Sequence, residues 1–184
     1  AAELTASGQY VALVVSMIVA ANRTIRGPED LGLAESAVLS SWRRNAEKDL
    51  PPDLQPPPWP AADPGTRITA AMTEWARVCP RPLVLFVDEF DALRGELLVG
   101  MMRQLQAGYR DRPQLFPSSL ALVGLRDMKD YRFDDDGLGR LNIPSPFNIV
   151  VASVTLPFFT EADVTELYMQ HTADTGQVFE LAAI

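Results

Sequence analysis

The sequence holds few of the residues on which several common kinds of protein site depend. Its 184 residues include two lysines, one cysteine and one histidine. A single cysteine excludes a disulfide within the chain, and a single histidine leaves zinc sites and Ser/His/Asp triads little to build on. A lone free cysteine also fits a reducing compartment, so we expect a cytoplasmic protein.

Neither a membrane span nor a signal peptide is predicted. The longest apolar run near the start, residues 10–21, is interrupted only by Ser16 and is shorter than the roughly 20 residues that cross a bilayer. It also lacks the basic segment that begins a signal peptide. The net charge of -8 and the pI near 4.6 argue against a surface that engages nucleic acid as a whole. We expect no membrane partner, and no nucleic-acid contact through this chain except at a local basic patch.

An apolar run that ends in two consecutive acids is the most informative segment of the chain. Residues 83–87 lie immediately before Asp88 and Glu89. A parallel strand that is buried on both faces needs no alternation of polar and apolar residues, and open α/β sheets bind ligands at the carboxyl ends of their strands. A carboxylate pair is what a hard cation and a nucleophilic water require. We therefore expect Asp88 and Glu89 to lie at a cleft.

The order of the predicted elements indicates an α/β fold with a parallel sheet. A last helix begins with Thr160 as its N-cap and Asp163 at the capping-box position. Residues 51–64 contain seven prolines and are predicted to be an extended connector, with a partner-docking segment as the alternative. Buried strands are predicted at residues 10–19, 83–87, 119–125 and 147–157, and the other helices at 28–48, 66–77 and 95–109.

A phosphate-binding loop is absent from the sequence. The pattern G-x-x-x-x-G-K-[ST] needs a lysine directly after its second glycine. Lys48 follows Glu47 and Lys129 follows Met128, so neither lysine belongs to such a loop. Two segments have the glycine spacing by chance, but both continue with apolar residues that offer neither the cation nor the hydroxyl.

Three segments together resemble the P-loop ATPases of the AAA+ and STAND type, most of all the archaeal-ATPase and Orc/Cdc6-related branch. Residues 87–93 (VDEFDAL) are similar to a Walker B element, residues 123–127 (VGLRD) to the end of the strand beside it, and residues 156–164 (LPFFTEADV) to the entry into the helical lid. The resemblance implies a three-layer parallel sheet of P-loop NTPase type with helices on both faces. Residues 1–159 would be the core without its first strand and phosphate loop, and residues 160–184 the start of the lid.

The resemblance also implies roles for four residues. Asp88 would bind the nucleotide through Mg²⁺, which it holds through water, and Glu89 would polarise the water that attacks the γ-phosphate. Arg126 is at the sensor-1 position, from which it can reach the γ-phosphate or that water; the alternative is an arginine that pairs with an aspartate of its own turn. Arg140 lies where an arginine finger would project into a neighbouring subunit of a homo-oligomer; the alternative is a solvated loop arginine.

The functional prediction is an ATP-binding domain whose intact parent couples Mg-ATP binding and hydrolysis to a switch in an attached effector domain or a protein partner. Without the phosphate loop, the chain itself is expected to be inactive alone. The alternative is a non-enzymatic interaction scaffold with a degenerate nucleotide site. A phosphate loop upstream would favour the ATPase, and its absence the scaffold. A third option, a DNA loader, would require a basic winged-helix segment downstream.

Overall fold

The computed structural model of the protein describes residues 1–21, 23–125 and 152–179. The chain divides into two units, Ala1–Val150 and Val151–Ile184. Within the described residues, no helix has both the length and the apolar character that crossing a membrane demands. The functional division predicted at residues 159 and 160 stays a prediction.

Three strands of the first unit form a parallel sheet in the part of the chain that the structure describes. The strands are β1 (Val11–Ser16), β2 (Leu83–Asp88) and β3 (Ser119–Leu122), in the order β1-β2-β3. Ser16 is in register with Asp88, so β1 and β2 end side by side. The first three predicted strands are therefore confirmed, and so is the mixed α/β fold with a parallel sheet.

Among the described residues of the first unit, four helices precede or connect these strands: α1 (Ala2–Ala6), α2 (Pro28–Asp49), α3 (Arg67–Val78) and α4 (Gly95–Gly108). Three of them match the predicted helices to within a residue or two. Proline at the first position and acidic residues in the first turn start α2. Helix α3 buries one face at the spacing of a helical stripe, namely Ile68, Ala71, Met72 and Trp75. Short 3₁₀ helices lie at Ile18–Ala20, Pro52–Leu54, Phe90–Ala92 and Tyr109–Asp111.

The two faces of the sheet differ in how well they are covered. Alternate residues of a strand point to opposite faces. On the second face, Ala12 and Val84 are nearly buried, but Val14 and Val123 are each 44% exposed and Phe86 is partly exposed. The described residues thus cover only the start of this face, and the three-layer arrangement stays a prediction. The first face is buried throughout β1 and β2, through Val11, Leu13, Val15, Leu83, Leu85 and Val87.

A buried polar network joins α2, α3 and α4. Gln104 donates from Nε2 to Oε1 of Glu35 at 2.6 Å, and the backbone N–H of Gly65 donates to Oε2 of Glu35 at 2.8 Å. Oε1 of Gln104 accepts from the backbone N–H groups of Ile68 and Thr69 at 2.9 and 3.2 Å. Because no side chain of α3 caps its own first turn, Gln104 satisfies N–H groups that would otherwise be buried without partners.

The proline-rich segment before α3 packs against the helices. Trp59 donates from its indole N–H to the carbonyl of Leu39 at 3.0 Å, and the Arg43 guanidinium lies 4.7 Å from the Trp59 ring centroid. Arg43 also donates to the carbonyls of Pro56 and Pro57. This packing supports the connector interpretation of the segment over partner docking.

The second unit contains α5 (Glu161–Thr175), which begins with the predicted capping box of Thr160 and Asp163. The fourth strand predicted at residues 147–157 is wrong for residues 152–157, which form no strand, and residues 147–151 lie outside the described part. A strand needs a neighbour with which to pair, and the described residues of this unit contain none. No residue of α5 is buried among the described residues, and Leu167 is 57% exposed.

Candidate functional site

The acidic pair lies at the carboxyl end of the central strand. Asp88 is the last residue of β2, Glu89 follows it, and both side chains are partly exposed. Because the strands are parallel, their carboxyl ends meet at one edge of the sheet. That edge therefore brings together Ser16, the two acids and the residues that follow Leu122.

Glu89 has a strained backbone. Its φ of 55° and ψ of 33° place it in the left-handed region, and it is the only residue other than glycine with positive φ in the described part of the chain. This conformation costs a residue with a Cβ atom about 1–2 kcal/mol. Glycine would occupy the position without that cost, so the carboxylate is held here against a local preference of the backbone.

Ser16 holds the Glu89 side chain. Its hydroxyl donates a hydrogen bond to Oε2 of Glu89 and accepts one from the backbone N–H of Ile18 at 3.0 Å. The carbonyl of Ser16 accepts from the indole N–H of Trp42 at 3.3 Å. The hydroxyl oxygen is thus fixed by Ile18, which leaves its proton for the carboxylate.

Asp88 has one carboxylate oxygen engaged by the protein. Its Oδ1 accepts the backbone N–H of Glu89 at 2.8 Å, and its backbone carbonyl accepts the N–H of Met17 at 3.0 Å. Oδ2 receives no hydrogen bond from the described residues. The same residues contain no group of three or more Asp, Glu, His and Cys side chains that could hold a metal ion. The residues present fit Mg²⁺ only as the resemblance implies, through water, since this ion keeps several of its waters in protein sites.

The turn after β2 contacts the turn after β3. The backbone N–H of Phe90 donates to the carbonyl of Val123 at 3.2 Å, and that of Leu125 donates to Oδ2 of Asp91 at 3.3 Å. A Cβ atom on Gly124 would lie 2.8 Å from Oδ1 of Asp91, closer than real Cβ contacts. Glycine at position 124 therefore lets the Asp91 carboxylate lie directly against the second turn.

Two of the four predicted site residues are brought together, and two are not described. Asp88 and Glu89 are adjacent at the sheet edge, whereas Arg126 and Arg140 lie outside the described residues, so their roles stay predictions. Sequence reasoning missed Ser16. Its signal was the one polar residue in the apolar run of residues 10–21.

Comparison with models of protein families, with curated proteins and with solved structures gave no match. The family resemblance therefore rests on the three sequence segments alone.

Proposed function

We propose that this chain is the ATP-binding domain of an AAA+/STAND-like ATPase, whose intact parent binds Mg-ATP and uses its hydrolysis to switch an attached domain or a partner. The observation that carries the proposal is Glu89 itself. An acid occupies a left-handed position at the end of the central parallel strand, and Ser16 holds its carboxylate. Backbone strain of this kind is concentrated at functional sites, where the surrounding structure holds the residue in its strained conformation.

The two acids divide the work in this proposal. Asp88 has a free carboxylate oxygen that can accept hydrogen bonds from the waters of a hydrated Mg²⁺. Glu89 is partly exposed and can accept a proton from an attacking water, with Ser16 keeping its carboxylate at the sheet edge. Bound Mg-ATP would supply the phosphoryl group and the cation that neutralises charge as the bond breaks.

The phosphate loop must come from polypeptide other than these 184 residues, because neither lysine can belong to one. The outer edge of β1 is occupied by side chains: Thr5 exchanges two hydrogen bonds with the backbone of Ala12, and Asn45 donates to the carbonyl of Val14 at 3.4 Å. No side chain of the described residues occupies the outer edge of β3 in this way. A further parallel strand would extend the sheet beside β3, and its carboxyl end would then meet the edge that holds Asp88.

The test is turnover and binding in the intact parent protein. Glu89→Gln should keep Mg-ATP binding while lowering turnover by at least the roughly hundredfold typical of lost general-base assistance. Glu47→Gln, at an exposed position near the end of α2, is the matched control and should leave both unchanged. Unchanged turnover in Glu89→Gln would contradict the proposal.

The second candidate is a non-enzymatic interaction scaffold with a degenerate nucleotide site. The observation in its favour is the absence of the phosphate loop from this sequence. An intact parent that neither binds nor hydrolyses Mg-ATP, and whose partner binding is insensitive to Glu89→Gln, would favour the scaffold over the ATPase.

A further inference from the structure

Asp91 lies in the 3₁₀ helix Phe90–Ala92, two residues after Glu89, and the family resemblance assigns it no role. We propose that Asp91 is a positioning residue of the same site, which fixes the turn after β3 relative to the acidic pair. In the sequence, Arg126 follows Leu125, the last described residue of that turn. The inference rests on the proposed function, since the reaction that the turn would serve is ATP hydrolysis.

The carboxylate of Asp91 lies against the turn with both of its oxygens. Oδ2 accepts the backbone N–H of Leu125 at 3.3 Å, and Oδ1 lies where only a glycine at position 124 leaves room. The carbonyl of Asp91 accepts from the Arg94 guanidinium at 3.0 Å, which ties the aspartate's own backbone to the residue that precedes α4. The anchor on the β2 side is thus fixed independently of the turn that it holds.

Polar contacts, and not apolar burial, hold the turn after β3 to the turn after β2. The Leu125 side chain is 97% exposed and Val123 is 44% exposed, so neither anchors the turn in the core. The hydrogen bonds between the two turns are those that Leu125 donates to Asp91 and that Phe90 donates to Val123, among the residues that the structure describes. The bond to Asp91 is long, at 3.3 Å, but it is the one of the two whose acceptor is a side-chain carboxylate, so a substitution can remove it.

Loss of the Asp91 carboxylate should therefore release the second turn without disturbing the acids. Asp88 is held by the backbone of Glu89 and Met17, and Glu89 by Ser16, and none of these contacts involves Asp91. Loss of a residue that only stabilised the fold would loosen the acidic pair together with the turn after β3. This difference gives the proposal a specific readout.

Amide hydrogen exchange on the 184-residue chain tests the contact directly. Asp91→Ala should speed exchange at Leu125 by at least about tenfold, the change expected from losing a hydrogen bond to a charged acceptor. Asp91→Asn should restore part of the protection, because an amide oxygen still accepts. Amides of β1 and β2 should be unchanged in both variants. Asp111→Ala, in another 3₁₀ helix, is the matched control and should leave Leu125 unaffected.

Gly124→Ala tests the same contact from the other side. The new Cβ atom would collide with Oδ1 of Asp91, so exchange at Leu125 should rise in the wild-type background. In the Asp91→Ala background the same substitution should add less, because Oδ1 and Cγ of residue 91 are gone and only its Cβ atom, 3.2 Å from the added Cβ atom, remains. The proposal would be overturned, whatever the protein's activity, if the effects of the two substitutions on exchange at Leu125 were additive, or if the Asp91 substitutions left that exchange rate unchanged.

Steady-state kinetics of the intact parent test the positioning role. Asp91→Ala should lower kcat for Mg-ATP hydrolysis by about tenfold or more with KM nearly unchanged, and Asp91→Asn should recover part of the loss. Normal kcat in Asp91→Ala, together with faster exchange at Leu125, would overturn the role in catalysis. A wild-type parent that does not hydrolyse ATP would overturn the proposed function, and the Asp91 role with it, even where the exchange results are as expected.

Discussion

Backbone strain at Glu89 can be measured by comparing two substitutions that both remove its carboxylate. Glu89→Ala and Glu89→Gly each lose the hydrogen bond from Ser16, so the difference between them reports the backbone alone. Alanine keeps the left-handed penalty of about 1–2 kcal/mol, and glycine is free of it. Glycine also gains about 0.5–1 kcal/mol of freedom in the unfolded chain, which offsets part of the relief. We expect Glu89→Gly to be more stable than Glu89→Ala by about 0.5–1 kcal/mol.

The same pair of substitutions at Arg103, an exposed position inside α4, provides the control. There glycine should be less stable than alanine by about 1 kcal/mol, the usual cost of glycine in a helix interior. Urea unfolding followed by tryptophan fluorescence measures all four variants, since the three tryptophans lie in the first unit. If glycine were also the less stable variant at position 89, the strain, and with it the main support for the proposed function, would be refuted.

Three further predictions concern stability and reactivity. Gln104→Ala leaves a carboxylate oxygen of Glu35 and two backbone N–H groups without their hydrogen-bond partner, so it should lower the free energy of unfolding in urea by about 3–5 kcal/mol. The control Gln106→Ala should lower it by less than about 0.5 kcal/mol. Leu85→Ala should cost about 2–5 kcal/mol, because Leu85 is fully buried. Phe86 is partly exposed, so Phe86→Ala should cost less than the roughly 3–5 kcal/mol of a buried phenylalanine, and a loss within that range would contradict the uncovered second face. Burial raises the pKa of the Cys79 thiol, so at pH 8 the thiol should be alkylated more slowly in the folded chain than in urea. The contribution of the buried thiol to the free energy of unfolding should be lost as the pH rises through the folded pKa.

The sheet and its acidic edge could be predicted because their signals are local. Residues 83–87 are an uninterrupted apolar run between Pro82 and the acidic pair, and a run of that length and composition suits a buried strand. Pro28 and the acids that follow it predict the start of helix α2. Each of these signals lies within a few residues of the feature it predicts.

The errors arose where the structure depends on a distant partner. Val154 and Leu156 have the composition of a strand, yet they are 79% and 85% exposed and pair with no strand. A β-ladder needs a neighbour, and sequence composition does not reveal whether one is available. The contact between Ser16 and Glu89 was missed for the same reason, since 73 positions separate the two residues and only the register of β1 with β2 brings them together.

The case for the proposed function rests on three features that meet at one sheet edge. Glu89 adopts a conformation that its Cβ atom disfavours, Ser16 directs its hydroxyl proton to that carboxylate, and position 124 must lack a side chain for Asp91 to reach the second turn. If the edge had only a structural role, glycine or asparagine at position 89 would lower its conformational free energy, because both residues tolerate the left-handed region. Natural sequences depart from local preference mainly where function demands it. Two of these features place and hold the Glu89 carboxylate directly after the central strand, and the third lets the Asp91 carboxylate lie against the neighbouring turn; this convergence of carboxylates is what supports the proposed function.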